Sequence, residues 1–301
     1  MRVSNATLRH NVMRNLQLSL RELERSQRQM SSGRVISQPS DNPVVAAKLL
    51  NISSALAESE QFQSNVRDGI SWLSVTDTNL GAVGDALQRV RELALAGATG
   101  TTPDGARNYI AREVDQLLRH VVALANVSFD GNRSLFGGTH HGTVPFAVTE
   151  GADGFLDGVG ASSAGAGEGA VSYEIIRQID IQVNTEGFRL FVDGGVFDAL
   201  LAVRDALRGT GDIQPAIAGM DDALNTVLNE RAVVGARHNR LLVTEQRYQE
   251  ETVTFAELSS KLGDIDMAEA IMNFNVREHV YQAALAAAAR VLQPTLLDFL
   301  R

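Results

Sequence analysis

Leu16, Leu20, Leu23 and Met30 fall on a four-then-three spacing, with Gln27 at the remaining position of the stripe. This is the heptad pattern of a helix that packs along one seam, and it stops at Ser31-Ser32-Gly33. After Pro43 the pattern resumes through Val45, Leu49, Ile52, Leu56, Val66, Ile70, Leu73, Leu80 and Leu87, interrupted by Ser59, Gln63, Asp77 and Gly84. A helix from Pro43 to about Ala98 is predicted, on the order of 80 Å long at 1.5 Å per residue. A compact chain of this size has a radius of gyration of only roughly 20 Å, so the pattern predicts an elongated molecule. The turn "GATGTTPDG" ends this helix, and a third runs from about Ala106 to Asn126 with Ile110, Val114, Leu117, Leu118, Val121 and Leu124 on one face.

From Ser128 to Gly195 glycine is dense and the heptads vanish. "QIDIQV" at Gln178–Val183 alternates as a half-buried strand does, and Tyr173–Ile176 extends it backwards. "NTEG" then reads as a turn and "FRLFV" as a second strand, with "PFAV" at Pro145–Val148 as a further candidate. "GADGFLDGVGASSAGAGEGA" reads as a loop or a disordered segment. Helices return at Phe197–Leu207 and from near Pro215, where Ile217, Met220, Leu224, Val227, Val234, Leu241, Tyr248, Phe255 and Leu262 keep a three-four spacing. "GDIDMAEA" breaks that seam, and a last helix presents Ile271, Phe274, Tyr281, Leu285 and Leu292. Leu296, Leu297, Phe299 and Leu300 make the C-terminus apolar.

The order is nearly palindromic: short seam, break and long seam on the way in, then long seam, break and short seam on the way out. The halves have no other long apolar partner, so they are expected to pack as an antiparallel helical bundle, mainly α with a small β insert at the fold-back and both terminal helices paired at one tip. The expected division is a terminal coiled coil of residues 1–38 and 268–301, a helical rod of 39–138 and 197–267, and a β-rich insert of 139–196. At the first break, Asn42 is placed to cap the next helix, with Pro43 as its first residue, where a missing N–H costs nothing. Asp41 complements the positive end of the helix dipole. Pro39, Asp41, Asn42 and Pro43 on one side, and Gly263, Asp264 and Asp266 on the other, are expected to form matching hinges.

Composition removes several classes. The net charge of −9 and pI of about 5.2 give no electrostatic footprint for nucleic acid or anionic lipid. With no cysteine, disulfides, thiolate metal sites and cysteine nucleophiles are excluded. Arginines spread through the first thirty residues leave no signal-peptide core, and no window reaches the length of a membrane span. Such a chain stays in the cytoplasm or leaves by a route that reads no cleavable signal.

No chemistry emerges from the motifs. His140 and His141 lack companion ligands at metal spacing and read as exposed loop residues. His238 and His279 lie on or beside seams and read as partly buried. "FDGNRSLFGG" lacks the carboxylate ladder of a calcium loop, and "GAGEG" lacks the lysine and context of a phosphate loop. No cofactor is expected, and nothing supports an enzyme. Polar seam residues Gln27, Gln63, Asp77, Arg231, His238 and Glu245 cost stability but can fix register or partner.

"QMSSGRVISQPSDNPVVAAK" resembles the N-terminal signature of the bacterial flagellin superfamily. "LANVSFDGNRSLFGGTHHGTVPF", "VGARHNRL", "DIDMAEAI" and "YQAALAAAARVLQPTLLDFL" are similar to its hook-filament junction branch; flagellins proper usually end differently and lack the "FGGT…PF" passage. The resemblance covers residues 1–145 and 197–301. It implies a structural subunit between hook and filament, exported through the flagellar type III apparatus without a cleaved signal and located in the extracellular flagellum. The implied partners are the other hook-associated junction protein, flagellin, further copies of itself in a ring, an export chaperone and the export apparatus, with no nucleic acid and no membrane. In such an assembly the contacts fall to Leu16, Leu20, Leu23, Met30, Tyr281, Leu285, Leu292, Leu296, Leu297, Phe299 and Leu300. Two alternatives stand beside it: a flagellin, and a cytoplasmic coiled-coil scaffold.

Overall fold

The computed structural model describes residues 5–99, 103–140 and 142–292. Helix α1 spans Asn5–Ser32, α2 Pro43–Ala98, α3 Asp104–Ala125, α4 Val196–Leu207, α5 Ile213–Gly263 and α6 Met267–Leu292. Strands β1 (Phe146–Glu150) and β2 (Leu156–Ala161) form one hairpin, and β3 (Ser172–Ile176) and β4 (Ile179–Gln182) another. The chain divides into two compact units, residues 60–249 and residues 1–59 with 250–301.

The unit of 60–249 holds the core. The heptad positions Leu73, Leu80 and Leu87 of α2 are fully buried with Val114, Leu118 and Val121 of α3, Leu200 and Val203 of α4, and Met220, Val227, Val234 and Leu241 of α5. These are the faces that the 3.6-residue period assigns inward. The polar interruption at Asp77 is answered across the seam, where Arg231 Nε donates to Asp77 Oδ1 at 2.7 Å.

Three sequence expectations for the glycine-rich region are corrected. The stretch 173–183 is not one strand: β3 and β4 turn back on each other, with Tyr173 opposite Ile181. The turn holds because Gln178 adopts a left-handed φ of 64° and its N–H donates to Glu174 Oε1 at 2.8 Å. "FRLFV" is not a strand but lies in a π-helix, Phe188–Asp193, closed by Gly194 N–H donating to the Arg189 carbonyl. Leu190 and Phe191 are both buried; a strand would send such neighbours to opposite faces, whereas one helical turn brings both to the core. "GADGFLDGVGASSAGAGEGA" is not a mere loop, since Leu156–Ala161 pairs antiparallel with β1. The candidate strand at Pro145–Val148 is present as β1.

The segment 139–196 shares its core with the helices. Phe146, Phe191 and Phe197 pack on one another, and Phe191 on Phe136, at centroid distances of 5.2–5.6 Å. Asn126, at the end of α3, clamps β1 by donating to the Phe146 carbonyl and accepting from its N–H, both at 2.9 Å. The β2 end is held by charge. Asp115 Oδ1 accepts from Leu156 N–H at 3.0 Å, and Arg204 donates to the Leu156 carbonyl. Both side chains are 4 % exposed and lie 3.7 Å apart. Gly138, at φ +64°, sits so close to the Glu168 carbonyl that any Cβ would collide with it.

Candidate assembly interface

The unit of residues 1–59 and 250–301 is built differently. Helices α1 and α6 pack along each other, and Arg277 Nη1 of α6 donates to both the carbonyl and Oε2 of Glu22, each at 2.9 Å. Yet the seam residues Leu16, Leu20, Leu23, Met30, Phe274 and Tyr281 are only half buried, and Leu285 is exposed. Leu292 is the last residue of α6; Leu296, Leu297, Phe299 and Leu300 lie outside the described residues. Among the described side chains here, only Ser26, Ser59 and Ala288 are buried. Met13, Leu18, Val44, Leu50, Val253, Leu258, Ile271, Met272, Val276 and Val280 face solvent.

The two breaks are joined. Gly33, at φ +68°, ends α1 in the left-handed conformation. The chain beyond it pairs antiparallel with the second break: Val35 N–H donates to the Gly263 carbonyl at 2.7 Å, and Ile265 N–H to the Gly33 carbonyl at 3.0 Å. Gln29 Nε2 braces this by donating to the Val35 carbonyl at 2.7 Å. Sequence spacing placed the breaks at matching positions but carried no sign of this backbone bridge, nor of the Glu22–Arg277 tie.

Pro39 occupies the second position of a turn closed by Asp41 N–H donating to the Gln38 carbonyl, the place its fixed φ suits. Asn42 caps α2 as expected, its Oδ1 accepting from Val45 N–H at 3.3 Å, with Pro43 as the first helical residue. Asp41 also organises the chain before it. Its Oδ2 accepts from the N–H groups of Ser37 and Gln38 and from the Ser37 hydroxyl. Burial pushes this carboxyl up, but those N–H groups and Arg25 outweigh it and hold its pKa below the usual carboxylate value. Asp266 caps α6 by accepting from Ala268 N–H at 2.9 Å, while Asp264 Oδ2 accepts from the Ser260 hydroxyl at 2.7 Å. Gly263 packs beside Leu49.

His140 is exposed and His238 half buried, as their positions suggested; His141 lies outside the described residues. His279 is exposed on α6, against expectation, because α6 turns that face away from α1. Among the described residues no group of three or more His, Asp or Glu side chains is placed to hold a metal ion, and no helix is long and apolar enough to cross a membrane.

Residues 3–140 match the helical region found at the N-terminus of bacterial flagellins, and residues 217–300 the helical region found at their C-terminus. The flagellar hook-associated protein 3 of Escherichia coli (strain K12) is 24 % identical over 95 % of this chain and 96 % of its own length. A flagellin of Halalkalibacterium halodurans is 26 % identical over 95 % of each chain. The crystal structure of Bacillus cereus FlgL superposes with a TM-score of 0.56 at 24 % identity, covering 70 % of this chain and 99 % of that one. The matched segments are the ones that form α1, α2 and α3 at one end and most of α5 with α6 at the other: the chain belongs to the bacterial flagellin family.

Proposed function

We propose that this chain is the structural subunit that joins hook to filament in the bacterial flagellum. The observation that carries an assembly role is the unit of residues 1–59 and 250–301, in which no described large apolar side chain is buried. A subunit of a polymer needs such a unit, because its apolar surface is satisfied only by neighbours. The junction reading is favoured over a filament subunit by the "FGGTHHGTVPF" passage. Its two ends are built into the core: Phe136 and Phe146 are fully buried, and Gly138 makes a backbone approach that no other residue permits.

In this reading residues 1–38 and 268–301 form the terminal coiled coil, with Leu16, Leu20, Leu23, Met30, Tyr281, Leu285, Leu292 and the apolar C-terminus as its contacts. The breaks at Pro39–Pro43 and Gly263–Asp266 set the direction in which it leaves the rest of the chain. Export runs through the flagellar type III apparatus, and the partners are the other hook-associated junction protein, flagellin, further copies of the chain and an export chaperone.

The test is deletion of the gene with complementation by an epitope-tagged copy. The expected result is cells with hooks but no filaments, rescued by a copy whose immunogold label marks one band between hook and filament. Label along the whole filament would replace this reading with a filament subunit. Unchanged motility in the deletion, with the protein retained inside, would replace it with a cytoplasmic scaffold.

A further inference from the structure

Sulfur is unevenly placed in this chain. There is no cysteine, so the six methionines hold all of it. Met220 is fully buried in the core of the 60–249 unit, and Met1 lies outside the described residues. The other four, Met13, Met30, Met267 and Met272, belong to the unit of residues 1–59 and 250–301. Met30 is half buried. Met13, Met267 and Met272 are 44 %, 47 % and 62 % exposed.

The three exposed methionines stand on apolar stripes. Met13 lies three residues before Leu16, and Met267 four residues before Ile271, so each extends a heptad seam by one step. Met272 heads a second stripe of α6. With Val276 and Val280 it repeats every four residues, and all three are more than half exposed. Leucine at these places would offer the same apolar contact at a smaller loss of side-chain entropy. What methionine adds is a thioether that can be oxidised.

We infer that Met13, Met267 and Met272 are oxidation sites that govern assembly: a peroxide converts them to sulfoxides in the free subunit and withdraws it from polymerisation. The inference rests on the reading of the protein as an assembling subunit. A lone pair on the thioether sulfur attacks one peroxide oxygen, the O–O bond breaks, and that oxygen stays on sulfur. The other oxygen leaves as hydroxide and takes the proton of the first, departing as water. Sulfur gives up two electrons and the peroxide takes them. The product is polar and chiral where the thioether was apolar. In the free chain the sulfoxide remains in water and the fold keeps its packing, with Met220 shielded in the core. Against a neighbour the same group must be dehydrated without a partner, which opposes the contact. Once the subunit is assembled these sulfurs are covered, so the reaction acts on free subunits. Reduction of the sulfoxide restores the apolar surface.

The experiment uses the full chain and hydrogen peroxide. Purified protein is treated, the peroxide is removed with catalase, and the protein is supplied to cells lacking the native gene. Peptide mass spectrometry should find one added oxygen first at Met272, then at Met267 and Met13, later at Met30 and not at Met220. Circular dichroism should be unchanged. Incorporation at the hook end should fall about tenfold or more, the factor that the lost burial of one methionine side chain is worth. Methionine sulfoxide reductase should restore it. In a variant with Met13→Leu, Met267→Leu and Met272→Leu, the ratio of treated to untreated incorporation should stay near one. With Met13→Gln, Met267→Gln and Met272→Gln, polar stand-ins for the sulfoxide, incorporation should be low before any peroxide is added. In assembled flagella given the same dose, the three thioethers should stay reduced. Full incorporation of the oxidised chain or of the glutamine variant would overturn the inference. So would an equal loss in the leucine variant, loss of helicity on oxidation, or ready oxidation within assembled flagella. Should the untreated native chain fail to join the hooks, the function reading fails instead, and that failure shows before peroxide enters.

Discussion

The N–H of Val35 donates to the carbonyl of Gly263 across 2.7 Å, tying a residue within the first helix break to the last residue of α5. With the reciprocal bond from Ile265 to Gly33, the two breaks form one small antiparallel bridge. The bends are therefore held in common, and opening one strips hydrogen bonds from the other.

Changing Pro39 and Pro43 together to alanine tests the bend. As the first residue of α2, Pro43 is free of strain; inside a fused helix it would clash with the carbonyl four residues upstream, at a cost of about 3 kcal/mol or more. Without the prolines that barrier is gone, while Gly33 still opposes helix by about 1 kcal/mol. The double variant should show helicity equal to or above the native chain by circular dichroism, with loss of amide protection at Val35 and Ile265. Filaments should be shed at the junction. Raised helicity with normal motility would show that this bend does not set assembly.

The buried pair Asp115–Arg204 carries a stability prediction. Asp115→Ala removes the acceptor of the buried Leu156 N–H and leaves Arg204 with Asp205, at 2.6 Å, as its remaining carboxylate. Leaving a buried donor without its acceptor costs roughly 1–3 kcal/mol. Urea unfolding should shift to lower midpoint by that amount, whereas Arg231→Ala, at the half-exposed Asp77 pair, should cost about 1 kcal/mol or less. Equal effects at both sites would mean Asp115 is not an anchor.

Replacing residues 142–194 by a Gly/Ser linker follows from the same core. Read from glycine content alone, the insert is dispensable; read from its packing, it is not. The linker would delete Phe146, Leu156, Ile175, Leu190 and Phe191, all buried, each worth roughly 1.5–3 kcal/mol. The thermal transition of the remaining helices should fall sharply or vanish. An unchanged transition would show that the helices make a self-sufficient core.

The contrast between helices and insert shows where sequence was readable. Leu73, Leu80 and Leu87 announced α2 because one period governs 56 residues, and a long seam leaves little room for another answer. Asn42 and Pro43 announced its start because capping is local chemistry. Leu156–Ala161 gave no such signal. It has one buried residue and two glycines, and its partners Asp115 and Arg204 lie 41 and 48 positions away in the chain. Phe188–Val192 misled because a short, mostly apolar run suits a strand as well as a π-turn, and its packing against Phe136 and Phe146 decides between them. The seam of α1 and α6 was legible as heptads, but its half-burial was not, since periodicity states which side is apolar and not what covers it.

Asp130 gives a pH prediction. The N–H of Arg133, its guanidinium and the N–H of Asn132 lower the Asp130 pKa from 3.8 to about 2. A depressed folded-state pKa means that the stabilisation is fully present above the unfolded value, near 3.8, and is lost as pH falls through about 2. A carboxyl carbon titration should therefore place the midpoint of Asp130 near 2, and Arg133→Ala should move it upward. A midpoint near 3.8 in the native chain would mean that the Asp130–Arg133 turn is open in solution.

The last prediction concerns the free subunit. In residues 66–94 of α2, Val66, Leu73, Leu80, Leu87 and Ala94 are fully buried, so their amides should exchange only on global unfolding. In α1 no residue between Leu16 and Leu23 is buried, and only Ser26 is buried between Leu23 and Met30. A helix of this length draws most of its stability from a packed face, and here that face is half wet. The Glu22–Arg277 tie, at 2.9 Å between side chains that are 55 % and 37 % exposed, adds at most about 1 kcal/mol. Amides of Leu16–Met30 in the dilute monomer should therefore exchange at least a hundredfold faster than those of Leu73–Leu87. In an assembling subunit neighbours cover the exposed Met13 and Leu18, so the same amides should gain protection in isolated flagella. Comparable protection of both segments in the monomer would show that α1 and α6 are stable as a pair, and that their exposed leucines and methionines are not what drives assembly.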